Sequence, residues 1–279
     1  MRKINTNQLF IKNTKNHLYS IVITIILIIM YSQKLLYTNS ACIIIHGTWA
    51  QNEDWYQPNG DFFNAVTICN NEIKEVDQVV SFQWSGKLGD IAQIEAAKML
   101  AKKISLYDHV ILIAHSHGTT VGIIASNLLA EIDTGSNNFD KISKFYALGA
   151  PICEMDIYSP NMNVISKLYN LFSFGDFIQT INGSYNRTFL SHPRIVNISI
   201  LLNEVHPNHT EMHHPAIGLS LLKIEYFENF SFSYPGLIRF FLHKNSFYEQ
   251  QPHQYKLLKD DKTMHQLMNL AFFRSKKQK

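Results

Sequence analysis

Beyond residue 40 the chain alternates short apolar runs with longer segments whose apolar positions recur at helical spacing. ACIIIH (41–46), QVVSFQW (78–84), HVILIAH (109–115), KFYALGA (144–150), KLYNLFSFG (167–175) and RIVNISILL (194–202) are rich in β-branched and aromatic residues. Each is too short for a typical helix and predicts a strand. Between them, GDIAQIEAAKMLAKKIS (89–105) predicts a helix with a face through Ile91, Ile94, Ala97, Met99 and Ala101, and GTTVGIIASNLLAEI (118–132) predicts another. Strands that are apolar along most of their length are covered on both sides, and strands alternating with helices are joined by crossovers. The pattern therefore predicts an α/β fold, a three-layer sandwich with a mostly parallel sheet between helices.

Ahead of this pattern, LYSIVITIILIIMY (18–31) carries no charge and follows a basic stretch, the arrangement of a secretory signal or a membrane anchor. As a helix it reaches only ~21 Å, short of the ~30 Å hydrocarbon core, but continuing through Leu36 with Lys34 at the interface extends it to ~28 Å. No small-x-small cleavage site follows it, and the next strand starts at Ala41. Residues 1–38 are therefore expected to form a basic region and an uncleaved hydrophobic helix anchoring the protein in a membrane. The excess of positive charge before the span puts the following domain on the non-cytoplasmic side. That domain is expected over 40–225, with 226–279, aromatic and then basic, as an extension without an assigned role.

Composition narrows this picture. With 46% hydrophobic and 17% charged residues the chain has ample material for a buried core. Its 25 basic and 22 acidic side chains nearly balance, and the basic ones gather at the two ends. No nucleic-acid partner is expected from that distribution. Cys42, Cys69 and Cys153 are too widely spaced for a CxxC metal framework, and buried packing is the expected role of each. The Asn-x-Ser/Thr triplets at Asn182, Asn186, Asn197, Asn208 and Asn229 lie in an Asn-rich chain and carry no glycosylation reading.

Parallel sheets present their ligand sites beyond the carboxyl ends of the strands. There the sequence places His46-Gly47-Thr48-Trp49, Ser85-Gly86, Ser116-His117-Gly118, Pro151, Asp176 and the histidines after Asn203. The stretch ILIAHSHGTTVG (111–122) admits two chemistries, a nucleophilic Ser116 or a metal held by His115 and His117. Metallohydrolases that open on HxH usually continue with Asp-His, whereas Gly-Thr-Thr follows here, and no metal is expected.

A strand, then A-H-S-H-G, then a helix resembles the G-x-S-x-G nucleophile elbow of the α/β-hydrolases, with Ala114 at the first small position and Gly118 at the second. The resemblance covers roughly residues 41 to 225. It implies a reduced α/β-hydrolase fold and a lipase- or esterase-like serine hydrolase that cleaves a carboxylic ester through an acyl-enzyme on Ser116, without a cofactor. The family's order of nucleophile, acid and histidine assigns the acid to Asp176, with Asp156 as the alternative. The base falls among His206, His209, His213 and His214, with His209 the first choice and His213 the second. Asp176 also has a structural alternative, capping a helix before FIQT.

His46-Gly47 resembles the HG segment that carries an oxyanion hole. The resemblance implies main-chain donors at Thr48 and His117, with Trp49 as a further candidate. The segment 48–66 is dense in aromatics that serve either core or substrate, and Trp49, Trp55 and Phe62 are the candidates for contact with an apolar acyl group. The connection 151–167 is short for an inserted cap. The expected partners are a small-molecule or lipid ester and, through the N-terminal run, a membrane. A different class, a non-catalytic hydrolase-like scaffold binding at a membrane, would keep the fold without converging Ser116, a histidine and a carboxylate.

Overall fold

The computed structural model describes residues 39–132, 140–153, 155–179, 186–225 and 238–242. The strands are β1 (Ser40–Ile45), β2 (Gln78–Phe82), β3 (His109–His115), β4 (Ile142–Leu148), β5 (Leu168–Phe172), β6 (Ile195–Leu202) and β7 (Ile238–Leu242). They form one sheet in the order β2-β1-β3-β4-β5-β6-β7, every neighbouring pair parallel. The six expected strands are all present. The seventh pairs with β6 from beyond residue 225, so the sheet extends into the segment expected to be a separate extension.

Among the described residues, four helices lie between these strands: α1 (Asp61–Ile73), α2 (Asp90–Ile104), α3 (His117–Ile132) and α4 (Pro215–Leu221). The side-chain period of two along each strand divides the core into two halves. Ala41, Ile43 and Ile45 of β1 and Val110, Leu112 and Ala114 of β3 pack toward α2 and α3. Cys42, Ile44, Ile111 and Ile113 pack on the other side with α1 and α4. All six side chains of β1 are buried, which is why the strand reads as a continuous apolar run. Gly122 lets α3 lie close on the sheet, since a methyl group there would sit 2.6 Å from the ring of Phe145.

The structure corrects two expectations, the face of α2 and the exposure of Phe62. In α2 the buried face is Gln93, Ala96, Ala97, Leu100, Ala101 and Ile104. Ile91 and Met99 are 82% and 57% exposed, because steps of 100° carry them away from the stripe that Ala97 and Ala101 share. Helix α1 lies inside the aromatic segment. Phe62 and Phe63 are core side chains, with Phe62 wholly buried, so Phe62 is removed from the candidates for substrate contact. Cys42 and Cys69 are buried in the same half-core, and burial raises both thiols, Cys69 to about 11, which suits packing and not nucleophilic chemistry.

The N-terminal hydrophobic helix expected over 18–36 lies outside the described residues. Among the described residues, no helix is long and apolar enough to cross a membrane. Among its described residues the connection 151–167 carries a 3-10 turn at Asp156–Tyr158, fastened to α3 by Asn127 Nδ2 donating to the carbonyls of Ile157 and Ser159.

Candidate active site

The site is built where β1, β3, β4, β5 and β6 end. Between β3 and α3 the chain turns on Ser116, whose φ of 54° lies in the left-handed region. For a residue with a side chain this costs about 1–3 kcal/mol. The turn is held by Ser116 N–H donating to Leu148 O at 2.9 Å and by Thr119 N–H donating to Ser116 O at 2.9 Å. Small residues make the turn sterically feasible. A methyl group on Gly118 would lie 2.6 Å from His46 O, and one on Gly47 would lie 2.8 Å from Ser116 Cβ.

The structure brings Ser116, His209 and Asp176 together. Ser116 Oγ lies 3.0 Å from His209 Nε2, and His209 Nδ1 lies 2.8 Å from Asp176 Oδ2. A carboxylate accepts and cannot donate, so Nδ1 carries the proton and Nε2 is left to accept from the serine hydroxyl. The alternative acid Asp156 stands exposed on the 3-10 turn of the 151–167 connection. Of the other histidines, His213 stacks on Trp55, His214 Nδ1 caps α4 by accepting from Ala216 N–H, and the His206 ring lies edge-on to Phe174.

Asp176 is wholly buried and serves two neighbours. Oδ2 faces the histidine, while Oδ1 accepts from Gln179 N–H at 3.2 Å, so the capping role read from the sequence coexists with the pairing to His209. Several residues that the sequence did not single out hold this corner. Arg187 donates from Nη2 to Asp176 O and from Nε to Ser173 O. Ser173 Oγ donates to Pro207 O at 2.5 Å and so ties the acid loop to the histidine loop. Gly149, with φ of 58°, provides the space: a methyl group there would lie 2.9 Å from Asp176 Oδ2 and 3.2 Å from Met212 Cγ.

After β1, His46 organises the segment 46–49. Its Nε2 accepts from Trp84 N–H at 3.1 Å and its Nδ1 donates to Gly47 O at 2.7 Å, while Trp84 Nε1 donates to His46 O. Thr48 follows, and its Oγ1 is hydrogen-bonded to His117 Nδ1 at 3.0 Å. The two residues expected to carry oxyanion donors are thus linked through their side chains, and His117 N–H sits at the start of α3, the end whose dipole favours negative charge. Trp49 is excluded as a main-chain donor, since its N–H donates to Gly86 O at 2.8 Å. Its φ of 61° turns the indole outward, where it is 78% exposed.

Four histidines in and around the site are shifted toward the neutral form, with burial the largest cause in each: His46, His115, His117 and His213, the last to about 4. Proton linkage makes the contribution of His213 to stability depend on pH. The unfolded chain takes up this proton near pH 6.5 and the folded chain only near 4, so stability from His213 is complete above about pH 6.5 and is lost as pH falls toward 4. On the order of 2–3 kcal/mol is at stake in that window. Calorimetry is expected to show the melting temperature falling between pH 6.5 and pH 4. His213→Phe, which keeps a ring against Trp55 but cannot titrate, should flatten part of that fall, and an unchanged slope would remove His213 as a cause.

The parallel sheet, its helix layers and the elbow at Ser116 together define an α/β-hydrolase-like fold. Solved structures similar to this chain include a lidless α/β serine hydrolase from Xanthomonas campestris, with a TM-score of 0.41 and 12% identity over 66% of this chain and 83% of that one. A cutinase-like protein from a Cryptococcus species aligns with a TM-score of 0.39 and 10% identity over 68% of this chain and 94% of that one. A hormone-sensitive lipase from a metagenome library gives 0.30 and 11% over 74% and 68% respectively. No family model and no curated protein matches the chain.

Proposed function

We propose that the protein is a serine hydrolase that cleaves a carboxylic ester with an apolar acyl group. The observation that carries this reading is the unbroken relay from Ser116 Oγ through the His209 ring to the buried Asp176 carboxylate, at 3.0 and 2.8 Å. His209 Nε2 takes the hydroxyl proton as Ser116 Oγ attacks the ester carbonyl carbon, and Asp176 stabilises the resulting imidazolium. The oxyanion of the tetrahedral intermediate is held by main-chain N–H groups of Thr48 and His117, and a lost donor of this kind costs about 3–4 kcal/mol. His209 then passes its proton to the departing alkoxide oxygen, leaving an acyl ester on Ser116. Water, deprotonated by the same imidazole, attacks that ester, and the imidazolium returns its proton to Ser116 Oγ as the carboxylic acid departs.

The preference for an apolar acyl group rests on the surroundings. Trp49 follows the oxyanion segment, Phe177 and Ile178 follow Asp176, and all three are exposed on loops at the end of the sheet where Ser116 stands. Trp55 is partly buried against His115 and His213, so it supports the site from within. A fluorophosphonate probe is expected to label the native protein at Ser116, identified by mass spectrometry of the modified peptide. p-Nitrophenyl esters with longer acyl chains should be hydrolysed faster than the acetate. A folded protein that takes no label at Ser116 would rule out the acyl-enzyme and favour a binding scaffold.

A further inference from the structure

His115 immediately precedes the nucleophile, and the relay does not use it. It is nonetheless buried at the point where three loops meet. A methyl group on Gly47, in the loop after β1, would come within 3.3 Å of its Nδ1. On the other side its ring lies 4.6 Å from that of His209 and 5.0 Å from that of His213, with Trp55 edge-on at 5.7 Å. An apolar side chain could fill the same space, and what the imidazole adds is its two ring nitrogens.

The Nε2 contact supplies the reason. His115 Nε2 lies 3.0 Å from the carbonyl oxygen of His209, which can only accept, so Nε2–H donates. The same carbonyl accepts from Met212 N–H at 3.3 Å, the bond that starts the 3-10 turn Thr210–His213. Two donors, one at the end of β3 and one in the 3-10 turn, therefore hold the carbonyl of His209. The His209 ring hangs from that main chain, so its aim at Ser116 Oγ and Asp176 Oδ2 depends on it.

We propose that His115 is a positioning residue: its Nε2–H tethers the main chain of His209 to the strand that ends in the nucleophile, holding the base in register with Ser116. The proposal rests on the hydrolase reading given above. It assigns a role to the first histidine of AHSHG in which neither a metal nor a proton transfer takes part. The tether spans 94 residues of sequence and joins the end of β3 to the loop after β6.

Amide replacements of matched polarity test this. Gln places a donor nitrogen the same number of bonds from Cβ as histidine Nε2, whereas Asn stops one bond short, and both bury a similar group. His115→Gln is expected to keep kcat within about threefold of wild type. His115→Asn and His115→Leu should lose about 10- to 100-fold in kcat with KM nearly unchanged, the size of effect produced by a small misplacement of a reacting group. In the free protein, the far-downfield proton resonance of His209 Nδ1–H should persist in wild type and His115→Gln, and shift or broaden in the Asn and Leu variants. Equal kcat for the Gln and Asn variants, or a resonance unmoved in all of them, overturns the tether. If wild-type Ser116 takes no label the hydrolase reading fails instead, while the resonance still reports whether position 115 sets the ring.

Discussion

Ser116→Ala and His209→Ala are each expected to lower kcat about 10⁶-fold, and the double variant should be no slower than either single one, because members of such a relay act as a unit. Without the serine hydroxyl His209 Nε2 has no proton to accept, and without the imidazole nothing withdraws that proton as the bond to carbon forms. Activity should not fall to the uncatalysed rate. If the main-chain donors proposed at Thr48 and His117 hold the oxyanion, both variants should keep a residual acceleration of about 10³–10⁴ over water. Steady-state kinetics on a p-nitrophenyl ester would separate the cases, with KM moving far less than kcat. Losses that multiply in the double variant would mean that the two side chains act in separate steps, and Ser116→Ala retaining more than about a hundredth of wild-type kcat would move the nucleophile elsewhere.

The convergence of Ser116, His209 and Asp176 was legible because each stands at the carboxyl end of a strand or just beyond it, and those strands are apolar along nearly their whole length. Parallel strands bring such ends to one edge of the sheet whatever their separation in sequence. Choosing among four histidines was harder, since all lie within nine residues of one another. Their distinction is spatial: Gly149, just past β4 and so beside β5, lies against both members of the pair, a methyl group there coming within 2.9 Å of Asp176 Oδ2 and 3.5 Å of His209 Nδ1. A glycine after ALGA's leucine announces a turn, but its neighbours across the sheet are not written in the local sequence.

Covered and uncovered aromatics were not separable for a related reason. Trp49, Trp55 and Phe62 fall within one segment, yet Trp49 is largely exposed, Trp55 partly covered and Phe62 wholly buried. Their fates follow from α1, which turns Phe62 toward the sheet, and from the left-handed backbone at Trp49, which sends the indole outward. The face of α2 was misplaced because Ile91 and Met99 are apolar but off the stripe, whereas the Ala-rich positions that face the sheet give a weak signal. Small residues mark close packing, and hydrophobicity alone undervalues them.

Asp176→Asn is expected to lower kcat about 10⁴-fold, close to 5.5 kcal/mol of transition-state stabilisation, while leaving the fold almost unchanged. The second partner of the carboxylate decides the outcome. Oδ1 accepts from Gln179 N–H, so an asparagine must keep its carbonyl oxygen on that side and turn its NH₂ toward His209. Facing a donor, His209 Nδ1 becomes the acceptor and its proton moves to Nε2, the tautomer that cannot take the proton of Ser116. Asn is nearly isosteric with Asp, and Arg187 still binds the main chain at 176, so the melting temperature should fall by only a few degrees. Asp176→Ala leaves Gln179 N–H without its acceptor and should lose both activity and stability, which separates the chemical role from the architectural one. Asp176→Glu should fail differently, because the added methylene displaces a wholly buried carboxylate from its two partners, His209 Nδ1 and Gln179 N–H. A loss below tenfold in the Asn variant would mean that the carboxylate neither sets the tautomer nor stabilises the imidazolium, and the relay would reduce to Ser116 and His209 alone.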